Sequence, residues 1–408
     1  MAVWLQKNYS GLHKNYSGLL SLGAFNIMRI KTSMKSLCAY TLIAVSLIFL
    51  SACSDSNNPS PPPPPPPTPL PEPEPEPIPF ETLYEQGVDQ YLGEYTPMMS
   101  ETTEGIVQHT FGTGDGPLCL RGGEYTMATR EAAGEDLMIF LEGGGACNSE
   151  FCSATEVAAP GIPSRGILNP EFPNNPATDF NVAYLPYCDG SVFSGDIDYD
   201  EDDDGVIDRY HRGLKNLSAS IDVIASTFPA PARILLTGNS AGGFGTDYML
   251  PLVRKLYPDT PIDLVNDSGV GVTKPGYVDF LSEEWNSARF IPEDCDDCIS
   301  EEGHTTGYHI YQLNEDPNLR MGFMSTKNDF VIADVFVGIG GEAFEAALIA
   351  EMAALEEAHP ERFRSLIADG NSHTFIQAQF DREVGGVPVY QWVTDMLDGS
   401  ADWQSVSD

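Results

Sequence analysis

From residue 136 onward the chain alternates between short continuous apolar runs and longer stretches whose apolar positions fall three or four apart. The short runs are DLMIFLEGGGAC (136–147), DFNVAYLPYCDG (179–190), ARILLTG (232–238), PIDLVNDSG (261–269) and LRMGFMST (319–326). Each has strand length and gives way to glycines or polar residues, so each reads as a buried strand that runs into a loop. Between and after them, HRGLKNLSASIDVIASTF (211–228), residues 242–257 and EAFEAALIAEMAALEEAH (342–359) carry the helical spacing. Pro258 and Pro360 stop the last two, because proline lacks the N–H a helix needs. Strands alternating with helices predict an α/β fold, a mostly parallel sheet with helices on both faces.

The pattern ahead of residue 80 is different. KNYSGL occurs at 7–12 and again at 14–19, and residues 1–27 read as an upstream extension from a mis-assigned start codon. From Met28 a basic segment with Arg29, Lys31 and Lys35 precedes the apolar SLCAYTLIAVSLIFL (36–50), of signal-peptide length. It ends in Leu50-Ser51-Ala52-Cys53, which resembles the lipobox of bacterial lipoproteins. That resemblance implies cleavage before Cys53, lipidation of its thiol and, with Ser54 following, an exported protein held at the outer membrane or cell surface. PSPPPPPPPTPLPEPEPEPIP (59–79) falls within a linker, 54–79. As a polyproline II rod it would hold the next domain roughly 60 Å from an anchor.

Residues 80–408 are then long enough for one large domain. Six cysteines lie there, an even number in an exported chain, and they read as three disulfides. The sequence does not fix the connectivity: Cys147 with Cys152 and Cys295 with Cys298 are neighbours that can pair locally, and Cys119 with Cys188 would then be left over. Sixty acidic against 21 basic residues set the net charge at −39. Such a surface excludes nucleic acid as a partner, and it repels polyanions unless salt screens the charge.

Within LLTGNSAGGFGTDYML (235–250), Gly238-x-Ser240-x-Gly242 lies where a strand meets a helix. That is the context of a nucleophile elbow, in which a strained turn lifts a serine to a helix N-terminus. The Ala241 N–H would then face a developing oxyanion. An elbow serine needs an acid and then a histidine further along the chain. Four histidines follow Ser240. His359 abuts Pro360 at a helix end and suits a cap. His304 and His309 lie in a polar stretch with no evident following element. His373, in DGNSHTFI (369–376), sits in a late loop before an apolar segment and is the candidate base. For the acid, Asp329 follows a strand by a few residues, Asp267 does the same, and Asp334 is a weaker third. Glu142-Gly143-Gly144-Gly145 follows its strand as a glycine-rich oxyanion loop would.

FLEGGGAC, YCDGSVFSGD (187–196), YHRGLKNL (210–217), GNSAGG and NDSG occur in that order. Together they resemble the pectin acetylesterase family, which includes the plant pectin acetylesterases and the animal deacylase Notum. The resemblance spans most of residues 80–380. It implies an α/β-hydrolase fold and a serine carboxylesterase that requires no cofactor. It also implies a triad of Ser240, Asp329 and His373, with the backbone N–H groups of Gly144, Gly145 and Ala241 as oxyanion donors, and so favours Asp329 over Asp267. The chain departs from the family at Ala146, where many members carry tryptophan, and at Asn239, where a cysteine or small residue is usual.

A further departure is an acidic insertion at about 197–209. Asp200, Asp202 and Asp204, followed by Gly205 and Asp208, copy the start of a calcium loop, although His211 stands where the bidentate glutamate should be. A structural calcium is the expectation, and a solvated acidic loop the alternative. Together these readings predict a monomeric, surface-tethered esterase that takes acetyl or other short acyl esters from polysaccharide. An esterase for small or lipidic esters, and an inactive calcium-dependent surface binder, are the rivals.

Overall fold

The structure, a computed structural model, describes residues 78–408, so the expected leader, the expected lipidation at Cys53 and most of the proline-rich stretch lie outside the described residues. In chain order the elements are α1 (Glu81–Glu85), β1 (Met99–Thr103), β2 (Ile106–Thr110), β3 (Thr126–Arg130), β4 (Leu137–Leu141), β5 (Gly145–Cys147), β6 (Cys152–Ala154), β7 (Asn181–Leu185), β8 (Ile197–Tyr199) and β9 (Arg209–His211). There follow α2 (Gly213–Thr227), β10 (Ile234–Asn239), α3 (Ala241–Leu256), β11 (Ile262–Asp267), α4 (Tyr277–Trp285), α5 (Thr306–Glu315), β12 (Leu319–Thr326), α6 (Gly341–Ala358), β13 (Phe363–Ala368), β14 (Glu383–Val384), β15 (Val387–Pro388), α7 (Val389–Leu397) and β16 (Val406–Ser407).

Ten of the strands form one sheet in the order β1-β2-β3-β7-β4-β10-β11-β12-β13-β16. The three strands at one edge run antiparallel to their neighbours, and β7 through β16 are parallel. This is the mostly parallel sheet of an α/β-hydrolase-like fold. The central strands β4, β10 and β11 are buried along their whole length because both faces are covered. Leu137, Ile139 and Leu141 of β4 face a core shared with α2 to α6, while Met138 and Phe140 face a second core closed by α7 and the segments around residues 167–180 and 375–384. Each fully buried leucine or phenylalanine here contributes about 1.5–3 kcal/mol. Helices lie on both faces as expected, but unevenly: extended segments do much of the covering on the α7 side.

Parallel strands all end at one edge, and the loops leaving β4, β10, β11, β12 and β13 gather there, where sheet enzymes place their chemistry. Disulfides join Cys119 to Cys188, Cys147 to Cys152 and Cys295 to Cys298. The Cys147–Cys152 bond closes the β5–β6 hairpin directly after the glycine loop. The acidic insertion is likewise a hairpin, β8 against β9, with residues 200–208 as its tip. Among the described residues no helix is long and apolar enough to cross a membrane.

Candidate active site

Ser240 stands between β10 and α3 with φ 58° and ψ −122°, outside the regions an L-residue favours. The strain is held by backbone bonds on either side: the Ser240 N–H donates to Asp267 O at 2.8 Å, and its carbonyl accepts the Phe244 N–H at 3.2 Å. The turn is so tight that a Cβ on Gly242 would lie 2.0 Å from the Leu141 carbonyl oxygen, and one on Gly238 would lie 2.3 Å from Gly242 O. Both obstacles are backbone and cannot swing away. Gly242→Ala is therefore expected to cost more than about 3 kcal/mol and to yield little folded protein. A soluble variant melting at the parent temperature would show that the elbow is looser than drawn.

The glycine loop lies against this turn. A Cβ on Gly143 would fall 2.8 Å from the Ser240 Cβ, and Asn239 Oδ1 accepts the Gly143 N–H at 3.2 Å. The unusual Asn239 thus ties the elbow to the loop. The Gly144 N–H and the Ala241 N–H at the start of α3 take part in no hydrogen bond among the described residues. Gly145 adopts φ +84°, and a Cβ there would sit 2.0 Å from Ser153 O, so only glycine fits. Ala146 is buried in the core and does not line the neighbouring cleft.

His373 and Asp329 meet. The carboxylate is acceptor-only when ionised, so the His373 Nδ1–H donates to it, at 2.8 Å to Oδ2 and 3.0 Å to Oδ1. Asp329 is fully buried, three residues past β12, and Oδ1 also accepts the Val331 and Ile332 N–H groups that open a π-helical turn, Val331–Phe336. The other ring nitrogen, His373 Nε2, is buried and has no partner among the described residues. Asp334 is exposed on that turn and makes no hydrogen bond to the ring among the described residues. Asp267 does not touch the ring either. Its Oδ2 accepts the N–H groups of Phe375 and Ile376 at 2.7 and 2.8 Å. Burial pushes its pKa up to about 6, against the opposing pull of those two N–H groups and of the nearby His373.

The remaining histidines are engaged elsewhere. His309, assigned on sequence to a stretch without a following element, lies inside α5, fully buried, with Nε2 3.0 Å from Asp247. Polar TGYHIYQLNE hides that helix from a search for apolar spacing. His304 Nδ1 accepts the Thr273 N–H, and His359 is the residue that ends α6. At the acidic tip, ligand atoms of Asp200, Asp202 and Asp208 lie within 4.8 Å of one another. Asp204 stands outside this group, its Oδ1 taken by the Val206 N–H. Three of the four expected carboxylates are thus gathered at the tip in the structure.

Glu142, which begins the glycine loop, is a site residue the sequence reading passed over. Its carboxylate accepts Tyr184 OH and Gln377 Nε2, both at 2.7 Å, and pairs with Arg165 at 3.1 Å. Through Gln377 it binds the glycine loop to the segment just past His373. A carboxylate at the end of a buried strand was the available signal. An open cleft of about 490 Å³ adjoins, lined by Glu142, Gly143, Arg165, Tyr184 and Tyr187.

The comparison with known families agrees with these motifs. The matched segment holds Ser240 and the glycine loop, while Asp329 and His373 lie beyond it. The match implies a carboxylic ester hydrolase, and hence an ester as substrate. Residues 106–286 of this chain match the model of the pectinacetylesterase family, as the motif resemblance led us to expect.

Proposed function

We propose that this protein is a serine carboxylesterase that removes acetyl groups from polysaccharide, with Ser240, His373 and Asp329 as its triad. The observation that carries the reading is the His373 Nδ1–Asp329 bond of 2.8 Å, with Nε2 left without a partner among the described residues, in a chain whose Ser240 is held at φ 58° on an elbow. His373 takes the Ser240 proton on Nε2, and Asp329 holds the ring in the tautomer this requires. The Ser240 oxygen attacks the ester carbonyl. The N–H groups of Gly144, Gly145 and Ala241 receive the oxyanion, each worth about 3 kcal/mol in the barrier. His373 gives its proton to the departing sugar hydroxyl. Water, activated by the same histidine, then releases acetate and restores Ser240. The reaction needs no cofactor.

The cleft beside the glycine loop is of a size to take sugar units. Anchorage through a lipidated Cys53 and a proline-rich tether would suit a monomeric enzyme that works on polymer at the cell surface. The charge of −39 opposes an anionic pectin. Acetate release from acetylated polygalacturonate is therefore expected to rise with salt, and release from a neutral acetylated glycan to stay flat. p-Nitrophenyl acetate should be cleaved far faster than the palmitate ester. Absence of hydrolysis at every chain length would defeat the esterase reading.

A further inference from the structure

Three non-glycine residues with positive φ meet around Asp267: Ser240 at 58°, Ser268 at 68° and Thr374 at 69°. Such conformations persist only where their surroundings fix them. Here the fixing groups belong largely to one residue. The Asp267 carbonyl accepts the Ser240 N–H at 2.8 Å. Its Oδ2 accepts the Phe375 and Ile376 N–H groups, which follow Thr374 directly. Its Oδ1 takes the Ser268 hydroxyl at 3.2 Å. Asp267, Ser268, Phe375 and Ile376 are fully buried. One aspartate at the end of β11 is therefore bonded at once to the nucleophile's backbone and to the loop that carries the histidine.

We infer that Asp267 is a positioning residue, a clamp that sets the Ser240 turn and the His373 loop in one frame through hydrogen bonds. The inference rests on the triad assignment above. It differs from the role of a triad acid, because the carboxylate grips backbone N–H groups past the ring and makes no bond to the imidazole. A geometric clamp needs an acceptor oxygen, and the charge is secondary. Both N–H groups converge on the one oxygen, so an amide carbonyl can serve them.

Two variants separate these roles. Asp267→Ala removes the acceptor, and a misplacement of order 1 Å between base and nucleophile is expected to lower kcat about 100-fold with KM within about twofold. Asp267→Asn keeps the acceptor oxygen and should recover kcat to within about fivefold of the parent. Rates are taken per folded protein, measured by circular dichroism. A kcat for Asp267→Ala within about threefold of the parent overturns the clamp. So does an Asp267→Asn as impaired as the alanine variant, since that would make the charge essential. Hydrogen exchange of the parent protein needs no variant to fold. The amides of Ser240, Phe375 and Ile376 should exchange as slowly as those of β11, and rapid exchange at Phe375 and Ile376 overturns the clamp. A parent that cleaves no ester, or a Ser240→Ala that cleaves as well as the parent, would defeat the triad assignment instead, while exchange would still decide the clamp.

Discussion

Ser240→Ala is expected to lower the turnover of p-nitrophenyl acetate by about 10⁴- to 10⁶-fold while leaving the fold as it is. The hydroxyl is the only group the substitution removes, and it makes no hydrogen bond among the described residues, so no partner there is orphaned. The strained backbone is unchanged in kind, since alanine at φ 58° meets the same Cβ restriction as serine. Its N–H still reaches Asp267 O, and the oxyanion N–H groups remain. Melting should therefore stay within about 0.5 kcal/mol of the parent. Initial rates and a thermal melt on the same sample check both halves. A rate within tenfold of the parent would remove the serine from the chemistry; a large loss of stability would mean that the hydroxyl also holds the turn.

The elements legible in the sequence were those whose burial shows in composition. β4, β10, β11 and β12 are buried almost throughout and rich in apolar residues, and LRMGFMST coincides with the whole of β12. α2, α3 and α6 were read to within two residues at each end, aided by Pro258 and Pro360. The antiparallel edge was not read. MSETT of β1 is exposed along its length, and nothing in its polarity separates it from a loop. α5 escaped for the opposite reason: it is buried, yet its inward surface includes His309 and Gln312. At the site, the elbow was legible because its constraint is local: strand, glycine, serine, glycine, helix. The links among the loops were not. Asp267 reaches residues 108 and 109 positions away, and Glu142 reaches Gln377 across 235. Such pairings depend on strand order, which a single sequence does not carry. The choice between Asp329 and Asp267 shows the same limit: both follow strands, and only the fold reveals which one faces the ring and which faces the backbone.

That distinction makes Asp329→Asn the sharpest test of the base. Asp329 Oδ1 is committed to the Val331 and Ile332 N–H groups. An asparagine would keep its carbonyl oxygen there, because its amide hydrogens cannot face those donors. The NH₂ then falls where Oδ2 stood, 2.8 Å from His373 Nδ1. A donor at that point requires Nδ1 to be unprotonated, so the neutral ring must carry its proton on Nε2. In that tautomer Nε2 cannot take the proton from Ser240. Geometry is kept and the base is lost, so kcat should fall by about 10³- to 10⁴-fold with KM little changed. Asp334→Asn, on the exposed face of the same turn, should leave the rate within twofold and serves as the control for local charge. Steady-state kinetics on a short-chain ester distinguish the two. A fall of less than tenfold in Asp329→Asn would mean that the ring holds its reactive tautomer without this carboxylate, and the acid would have to be sought elsewhere along the loops that close on Ser240.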